Sequence, residues 1–323
     1  MWSLSPGWAV SVKDGRLVVQ SDTKQMILSG NVPISCCVAD RLRDGIPEEC
    51  FGIDGIFQCL ADAGLLCLGK REDRGIYGYF NHFGIQLQDN RDALNNSRIL
   101  ILGLGGTGAI ILQHLVGAGV RNFVLVDDDN VDARNLERQF IFHRQQVGQP
   151  KTICAAQYIR ERNPSASVEI HATRISTPEQ TEELLKIVGK IDFAAICIDT
   201  PPEQVLANTA SVFWTLSIPS IIGGLLISSG CYGPVFDPTR SRTGPNGFRR
   251  NYTPSEEFVP GEPVRIAFPP FNTMVGALMA SDILHHLAGL HDEVDYDHQI
   301  AVTFPLLRRT LIDAMVVPRT QEA

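Results

Sequence analysis

The chain has 323 residues, of which 44% are hydrophobic and 20% charged, and its formal net charge is −8. This length allows two domains with substantial cores, and the negative charge argues against a nucleic-acid-binding protein that neutralises phosphates. The sequence contains no apolar span of about 18 residues and no basic segment followed by an apolar one, so we expect a cytoplasmic protein without a membrane partner.

Eight cysteines are present, and no two of them form a Cys-x-x-Cys pair. Tetrahedral zinc sites usually contain such close pairs, and cytosolic cysteines are usually reduced. We therefore expect no structural zinc and interpret the cysteines as small apolar side chains. Cys197 and Cys231 lie near the end of predicted strands, but neither stands out as a thioester-forming nucleophile, and packing is the favoured interpretation.

Residues 1–85 predict a small module of strands and helices. Residues 8–20 read as two short strands joined by an Asp14-Gly15 turn, which is a strong hairpin signal. The following patterns are a strand at 25–28, helices at 34–43 and 53–63, and apolar runs at 65–68 and 76–80 that bracket the polar segment GKREDRG. A hairpin, helices and a second hairpin of this kind are typical of a winged-helix-like domain.

The first 85 residues are not basic overall, so we favour peptide binding over DNA binding for this module. An extended peptide would add to an exposed strand edge, where main-chain hydrogen bonds provide affinity and side-chain pockets provide selectivity. The alternative is that the module serves only for packing or dimerisation.

Residues 97–151 carry the clearest pattern in the chain. An apolar run at 99–102 ends in the turn GLGGTG (103–108), an apolar helix pattern follows at 109–118, and a second apolar run at 123–126 ends in three aspartates. A strand, a glycine turn, a helix and an acid-terminated strand predict a nucleotide-binding βαβ unit. Glycines are required where backbone amides approach a phosphate, because a Cβ would block the approach.

Beyond this unit the chain alternates helices and strands. Helical patterns stand at 86–96, 151–163, 177–189 and 202–216, and apolar strands at 168–172, 193–198 and 220–223. This alternation predicts a doubly wound parallel sheet. We therefore predict an α/β fold, in which a Rossmann-like domain at 86–323 is preceded by a winged-helix-like α+β domain at 1–85.

The pattern becomes irregular from Gly230. The proline-rich segment 237–264 carries Arg240, Arg242, Arg249 and Arg250, and we interpret it either as a lid that closes over an acidic peptide or as a disordered loop. An apolar helix at 269–287 and two closing strands, at 299–304 and 310–317, complete the prediction.

The run GLGGTG, followed by VDDDNVDARNLERQ, GQPK and CIDT, resembles the E1-like adenylating enzymes of the ThiF, MoeB and HesA family over residues 97–225. The resemblance implies a homodimer that activates a carboxylate with ATP and Mg²⁺, forming an acyl-adenylate and pyrophosphate. The module in front resembles that of the precursor-peptide-modifying members MccB and PaaA, where it grips the leader of a ribosomally made peptide. This implies maturation of a peptide natural product (an antibiotic), through a C-terminal or a Glu/Asp side-chain carboxylate.

The resemblance also implies how the nucleotide is held. The four glycines of the turn (Gly103, Gly105, Gly106 and Gly108) would wrap it, with Gly106 near the α-phosphate. Asp127, at the end of the second strand, would accept hydrogen bonds from both ribose hydroxyls.

Five further residues match positions that bind phosphate or metal in the family. Asn135 and Arg138 share a face if their segment is helical, and Arg138 would hold the β- and γ-phosphates. Lys151 would offset charge on the α-phosphate in the transition state, Asp199 would hold Mg²⁺, and Gln139 completes the RQ pair. Each residue alone has an ordinary alternative, such as a solvated aspartate, a surface cation or a helix cap. Their joint occurrence favours the site.

The sequence departs from the family pattern before the first strand. Family members carry an arginine there that reaches the ATP of the partner subunit, whereas this chain has His82 in the nearest match, Tyr79-Phe80-Asn81-His82. Either His82, Arg91, Arg71 or Arg74 substitutes for it, or the phosphate contact is weaker.

Three other functions are alternatives for this sequence. A dehydrogenase would share the glycine turn and the acid near Asp127, but would not explain Asn135, Arg138 and Lys151. An enzyme that adenylates a Gly-Gly sulfur-carrier protein is the closest alternative. A non-catalytic leader-binding partner protein is the third, although such scaffolds tend to lose the ATP-binding residues.

Overall fold

A computed structural model describes residues 2–4, 8–14, 16–20, 25–28, 38, 41–42, 45–47, 55–63, 65–68, 75–83, 85, 87–198, 205–225, 229–247, 268–303 and 308–313. The chain divides into two compact units, Met1–Ala93 and Leu94–Ala323. Five sequence-predicted residues lie outside the described residues: Arg71, Arg74, Asp199, Arg249 and Arg250. The same holds for most of the helix predicted at 34–43 and for the side chain of His82.

The first unit contains two small antiparallel sheets. Strand β1 (Trp2–Leu4) pairs with β5 (Leu66–Leu68), and β2 (Ala9–Lys13), β3 (Arg16–Gln20) and β4 (Gln25–Leu28) form a three-stranded sheet in that order. The predicted hairpin is confirmed, because Lys13 pairs with Arg16 across the turn and Asp14 has a φ of 51°. A two-residue hairpin turn needs this left-handed conformation, which aspartate tolerates.

The described part of this unit also contains helices α1 (Ile56–Asp62) and α2 (Ile76–His82). The predicted second hairpin is wrong. The run at 76–80 is helical, and Leu66–Leu68 pairs with β1 instead. Its aromatic residues suggested a strand, but their spacing fits a helix, because the rings of Tyr79 and Phe83, four residues apart, lie 5.1 Å from each other.

The second unit is built on one eight-stranded sheet. Helix α3 (Leu87–Asn96) leads into it, and the strand order is β13-β12-β11-β10-β9-β6-β7-β8. Five strands are parallel: β6 (Arg98–Leu102), β7 (Asn122–Val126), β8 (Ser167–His171), β9 (Phe193–Ile196) and β10 (Ser220–Leu225). The predicted parallel α/β sheet is confirmed. Residues 99–102 of β6 are fully buried, as expected for a parallel strand covered on both faces.

Three antiparallel strands extend this sheet beyond β10: β11 (Ser229–Phe236), β12 (His298–Thr303) and β13 (Arg308–Asp313). Strand β11 lies where an irregular segment was expected to begin. Its Gly233-Pro234 pair lies opposite the single residue Ile222 of β10, so β11 has a bulge at this pair, and a bulge is where a sheet tolerates a residue without an N–H. Pairing on both sides therefore outweighs the poor strand propensity of its sequence.

Helices cover the sheet of the second unit: α4 (Gly106–Gly117), α5 (Lys151–Arg162), α6 (Pro178–Val188), α7 (Ser211–Thr215), preceded by a π-helical turn at Leu206–Ala210, and α8 (Pro269–Leu287). Helices α4 and α8 pack closely at Gly276 of α8: a Cβ at this position would lie only 2.8 Å from the side chain of Ile110 in α4. Among the residues described above, no helix is long and apolar enough to cross a membrane.

Candidate functional site

Two glycines of the turn between β6 and α4 are required by the turn itself. Gly103 has a φ of 91°, and a Cβ there would lie 2.8 Å from the carbonyl oxygen of Cys197. A Cβ on Gly108 would overlap the carbonyl oxygen of Gly103. Neither position accepts a side chain, whatever the turn binds.

Of the other two glycines, Gly105 faces open space and Gly106 faces the side chain of Asn272. A Cβ on Gly105, whose φ is −70°, would meet no described atom within 4 Å. A Cβ on Gly106 would overlap Oδ1 of Asn272 and lie 3.4 Å from Cδ of Arg138. The first amides of a helix have no intrahelical partner, so the start of α4 beside this open space fits an anion such as a phosphate.

The Gly105→Ala variant separates binding from folding. We expect it to fold as the wild type does, because alanine accepts this backbone conformation and finds open space. We expect ATP to bind at least about tenfold more weakly, because the methyl group occupies the approach to the helix amides. Thermal unfolding and calorimetric titration with ATP check this, and an unchanged ATP affinity would place the nucleotide elsewhere.

Asp127 is tied to the turn on one side and to Lys151 on the other. Its side chain is 8% exposed, and it accepts hydrogen bonds from the backbone N–H of Leu104 (2.6 Å) and of Asp129 (2.9 Å). Burial raises the pKa of Asp127, while Lys151, 3.7 Å away, and the two backbone N–H groups oppose that rise. Each carboxylate oxygen keeps a second lone pair, so a ribose hydroxyl is still a possible donor to it.

Lys151, the first residue of α5, carries a buried ammonium group. Its side chain is 5% exposed, and Nζ lies 2.6 Å from Oδ2 of Asp129, while its backbone N–H donates to the carbonyl of Asp129 (3.0 Å). The structure thus brings Lys151, Asp127 and the glycine turn together, although the first two are 24 positions apart in the sequence.

Asn135 and Arg138 lie in and directly after a 3₁₀ helix, Ala133–Glu137, rather than in an α-helix. Oδ1 of Asn135 accepts from the backbone N–H of Asp132 (2.9 Å), so this side chain caps the segment. The guanidinium of Arg138 contacts Glu137 (2.8 Å) and the carbonyl of Arg134 (3.2 Å), and its aliphatic part reaches Gly106. Arg138 is therefore beside the turn, whereas the main visible contact of Asn135 is structural.

Gln139 is buried at 1% exposure, and its Oε1 atom has no hydrogen-bond partner in the described part of the chain. Burial of a polar atom without a partner is costly, so this amide needs a donor that the described residues do not supply.

One residue beside the turn was missed by the sequence analysis. Asn272 lies in the first turn of α8, is 4% exposed, and contacts Gly106. The sequence signal that could have identified it is an asparagine within an otherwise apolar helical run. Such an asparagine is expected to be buried, and a buried amide requires a hydrogen-bond partner. The distance in sequence between 106 and 272 concealed the contact.

Other predicted residues have different surroundings. Burial raises the pKa of Cys197 to about 12, which favours the protonated thiol and agrees with the packing interpretation of this residue. Arg240 pairs with Asp237 (3.4 Å) and Arg242 with Asp297 (3.0 Å), and residues 248–264 of the predicted lid or loop lie outside the described residues.

Comparisons with known proteins identify the family of the chain. Residues 81–312 match the ThiF family. The sulfur carrier protein adenylyltransferase of Thermus thermophilus is 29% identical over 62% of this chain and 73% of its own length. The adenylyltransferase and sulfurtransferase UBA4 of Meyerozyma guilliermondii is 34% identical over 42% of this chain, but this match spans only 31% of the relative.

Solved structures share the fold over nearly the whole chain. Escherichia coli MccB, solved with AMPCPP and MccA, superposes with a TM-score of 0.72 at 18% identity and covers 98% of both chains. PaaA superposes with a TM-score of 0.70 at 16% identity over 95% of this chain and 98% of its own. From the residues matched and the fold shared, the chain belongs to the ThiF family of ATP-dependent adenylating enzymes.

Proposed function

We propose that the chain adenylates a carboxylate of a ribosomally made precursor peptide, using ATP and Mg²⁺, during maturation of a peptide natural product with antibiotic activity. The observation that carries the proposal is the open glycine turn, with a buried lysine beside it, in a chain that also has a separate N-terminal unit whose strand β4 pairs, within the described residues, on one side only. The fold shared with MccB, which was solved with the peptide MccA, supports the peptide as substrate.

The described residues fit a nucleotide. The open space at Gly105 and the amides at the start of α4 suit a phosphate, and Lys151 and Arg138 supply positive charge. ATP supplies the electrophilic α-phosphorus and the pyrophosphate leaving group. Lys151 would compensate the charge that grows on the α-phosphate, Asp127 would accept from the ribose, and Asp199 would hold Mg²⁺. Asn135 and Gln139 would support Arg138 at the β- and γ-phosphates.

The edge of β4 offers a place for the leader of the peptide. Within the described residues, β4 pairs with β3 alone. Lys13 and Arg16 close a two-residue turn and so form a hydrogen-bonded pair. Because backbone groups alternate in direction along a strand, the N–H and C=O groups of Leu17 and Val19 in β3 then point towards β4. Their partners are Leu28 and Met26. The backbone groups of Gln25 and Ile27 therefore point outward, where a peptide strand would pair with them.

The Ile27→Pro variant tests this edge. Proline has no N–H, and edge strands tolerate it, so we expect the unit to fold while kcat/KM for the peptide falls at least about tenfold and ATP affinity stays unchanged. Ile27→Ala is the matched control, because it keeps the N–H and removes only a side chain that is 54% exposed. Equal activity of both variants would rule out strand addition at β4.

The proposed reaction is tested by peptide-dependent release of pyrophosphate. The substrates are short peptides encoded beside the gene and, separately, a Gly-Gly carrier protein, with Asp199→Ala as the inactive control. Stimulation by one short peptide supports the proposal. Stimulation by the carrier alone would favour the second candidate function, adenylation of a Gly-Gly sulfur-carrier protein. The similarity to the sulfur carrier protein adenylyltransferase of Thermus thermophilus supports that candidate.

The assembly and location of the protein also belong to the proposal. We expect a cytoplasmic homodimer, in which His82, Arg91, Arg71 or Arg74 replaces the arginine that the family contributes from the partner subunit. Sedimentation velocity tests the dimer. Mixing Lys151→Met subunits with His82→Ala or Arg91→Ala subunits tests the shared site, because hybrid dimers would regain activity at one of their two sites.

A further inference from the structure

A cluster of two histidines and a tyrosine lies at the carboxyl end of α8, away from the glycine turn. The hydroxyl of Tyr296 is 3.0 Å from Nδ1 of His286 and 2.8 Å from Nδ1 of His291. The ring of His286 also packs edge to face on Phe193, the first residue of β9, with the ring centroids 5.1 Å apart. Because β9 runs parallel to β6, and the glycine turn follows the end of β6, this histidine–tyrosine cluster lies at the opposite edge of the sheet.

The hydrogen bonds of the histidine–tyrosine cluster require at least one neutral histidine. Among the described residues, the Tyr296 hydroxyl has no hydrogen-bond partner other than the two Nδ1 atoms. Tyr296 therefore donates its O–H to one Nδ1, which must be unprotonated, and accepts from the N–H of the other. Protonation of the accepting ring turns its Nδ1 into a donor, and the hydroxyl then has no acceptor in the cluster.

The surroundings of the two rings favour their neutral forms. Burial lowers the pKa of His286 to about 4; Asp237, directly after β11, opposes this fall, whereas His291 and Arg240 add to it. Burial and Arg240 also lower the pKa of His291, against the attraction of Asp237 and Asp292. A proton on either ring is therefore costly while the cluster is intact.

The carboxylate that attracts both histidines is already engaged. Asp237 accepts from the N–H and the O–H of Thr239, both at 2.8 Å, and pairs with Arg240 at 3.4 Å. Burial raises the pKa of Tyr296, with Asp237 and Asp282 adding to the rise and Arg240 opposing it, so the hydroxyl keeps its proton at neutral pH. The paired Asp237 and Arg240 thus offer little net charge that would stabilise an imidazolium.

The cluster ties the connection between α8 and β12 to the helix. His286 belongs to the last turn of α8, whereas His291 and Tyr296 belong to the connection, residues 288–297. Helix α8 is held in place by its close packing on α4, so the connection is the side that moves when these hydrogen bonds break. Loss of the cluster therefore frees the segment that leads into β12.

We propose that His286, Tyr296 and His291 form a pH-sensitive switch, which holds the connection 288–297 on the end of α8 at neutral pH and releases it when a ring is protonated. A histidine whose folded pKa lies below its unfolded value of about 6.5 takes up a proton when the switch opens. The contribution of the cluster to the closed form is therefore complete above about pH 6.5, and it is lost as the pH falls towards about 4. The switch acts whether or not the candidate site binds a nucleotide.

Hydrogen–deuterium exchange of the full chain measures the opening, followed by mass spectrometry at pH 7 and pH 5 and corrected for the intrinsic pH dependence of exchange. For residues 288–297, we expect the opening constant to rise about 20-fold at pH 5, because the pKa of His286 is about 4 in the closed form and about 6.5 in the open one. Residues 98–102 of β6 are the internal reference and should not change. Unchanged exchange at 288–297, or an equal rise in β6, would overturn the switch.

Three variants assign the effect to the cluster. His286→Asn keeps an amide group near the position of Nδ1 but does not titrate, so the rise at pH 5 should fall below about fivefold, and a full 20-fold rise would contradict the proposal. Tyr296→Phe removes the bridging hydroxyl and should raise the opening constant at pH 7 about tenfold; it decides the case if His286→Asn does not fold. His114→Asn changes an exposed histidine of α4 and, as the matched control, should keep the wild-type response.

Discussion

We expect Lys151→Met to lower kcat for pyrophosphate release at least about 100-fold. Lys151 has a buried ammonium group, and preorganised charge in a dry site is worth far more than the same charge in water. The loss should appear in kcat as well as in ATP affinity, because the charge on the α-phosphate grows in the transition state. Rapid-quench measurement of pyrophosphate at saturating ATP separates the two effects.

The same variant should also lose stability, in a pH-dependent way. Asp127 is buried and already has a raised pKa, and removing Lys151 removes the attraction that opposes the rise. A carboxyl group with a folded pKa above its unfolded pKa stabilises the fold at acid pH, and this contribution disappears as pH rises through the folded pKa. We therefore expect Lys151→Met to lose about 3 kcal/mol at pH 7 and less at pH 4. Urea unfolding at both pH values measures it.

Lys190→Met is the matched control for Lys151→Met. Lys190 also pairs with an aspartate, Asp192 at 2.8 Å, but its side chain is 86% exposed. Exposed pairs contribute little, so this variant should keep wild-type stability and activity. If Lys151→Met behaved like Lys190→Met, Lys151 would have no role at the α-phosphate and the assignment of the site would be wrong.

We expect Gly108→Ala to prevent folding of the second unit or to destabilise it by at least about 3 kcal/mol. The new methyl group would overlap the carbonyl oxygen of Gly103 and lie 3.3 Å from Cβ of Cys197. Because the first of these neighbours is backbone, the strain cannot be relieved by a rotamer change, and the cost exceeds ordinary overpacking. Urea unfolding followed by circular dichroism measures the loss.

Gly117→Ala provides the comparison for Gly108→Ala. It changes the last residue of the same helix, where a Cβ meets nothing within 4 Å. Alanine in a helix restricts the unfolded chain, so this variant should gain about 0.5 to 1 kcal/mol. Equal unfolding midpoints for the two variants would show that the turn can open without cost.

The parts of the fold predicted correctly are those that local sequence determines. The runs at 99–102 and 123–126 are apolar throughout, and the turn between them begins with Gly103, whose φ of 91° favours glycine. The parts missed depend on distant partners. Strand β11 forms because β10 and β12 pair with it, and Arg242 is held by Asp297, 55 residues away. Nothing close to either segment in the sequence announces these contacts.

The candidate site divides in the same way. Asp127 and Lys151 were predicted together because their motif has a fixed spacing, and the structure places them 3.7 Å apart. The contact of Asn272 with Gly106 depends on how α8 packs against α4, which no local pattern encodes. The capping role of Asn135 could not be predicted either, because the same residue types occur in 3₁₀ and α-helical turns and the sequence does not distinguish the two.

The glycines of the turn are under different evolutionary constraints. A descendant of this chain that lost ATP binding but kept its fold would still need Gly103 and Gly108, because backbone atoms occupy the space of their side chains. Position 105 could then accept other residues, because a side chain there meets no described atom within 4 Å. In such a descendant, a larger residue at 105 would therefore indicate a protein that no longer binds ATP and serves as a scaffold. Glycines retained at 103 and 108 would indicate only that the domain still folds.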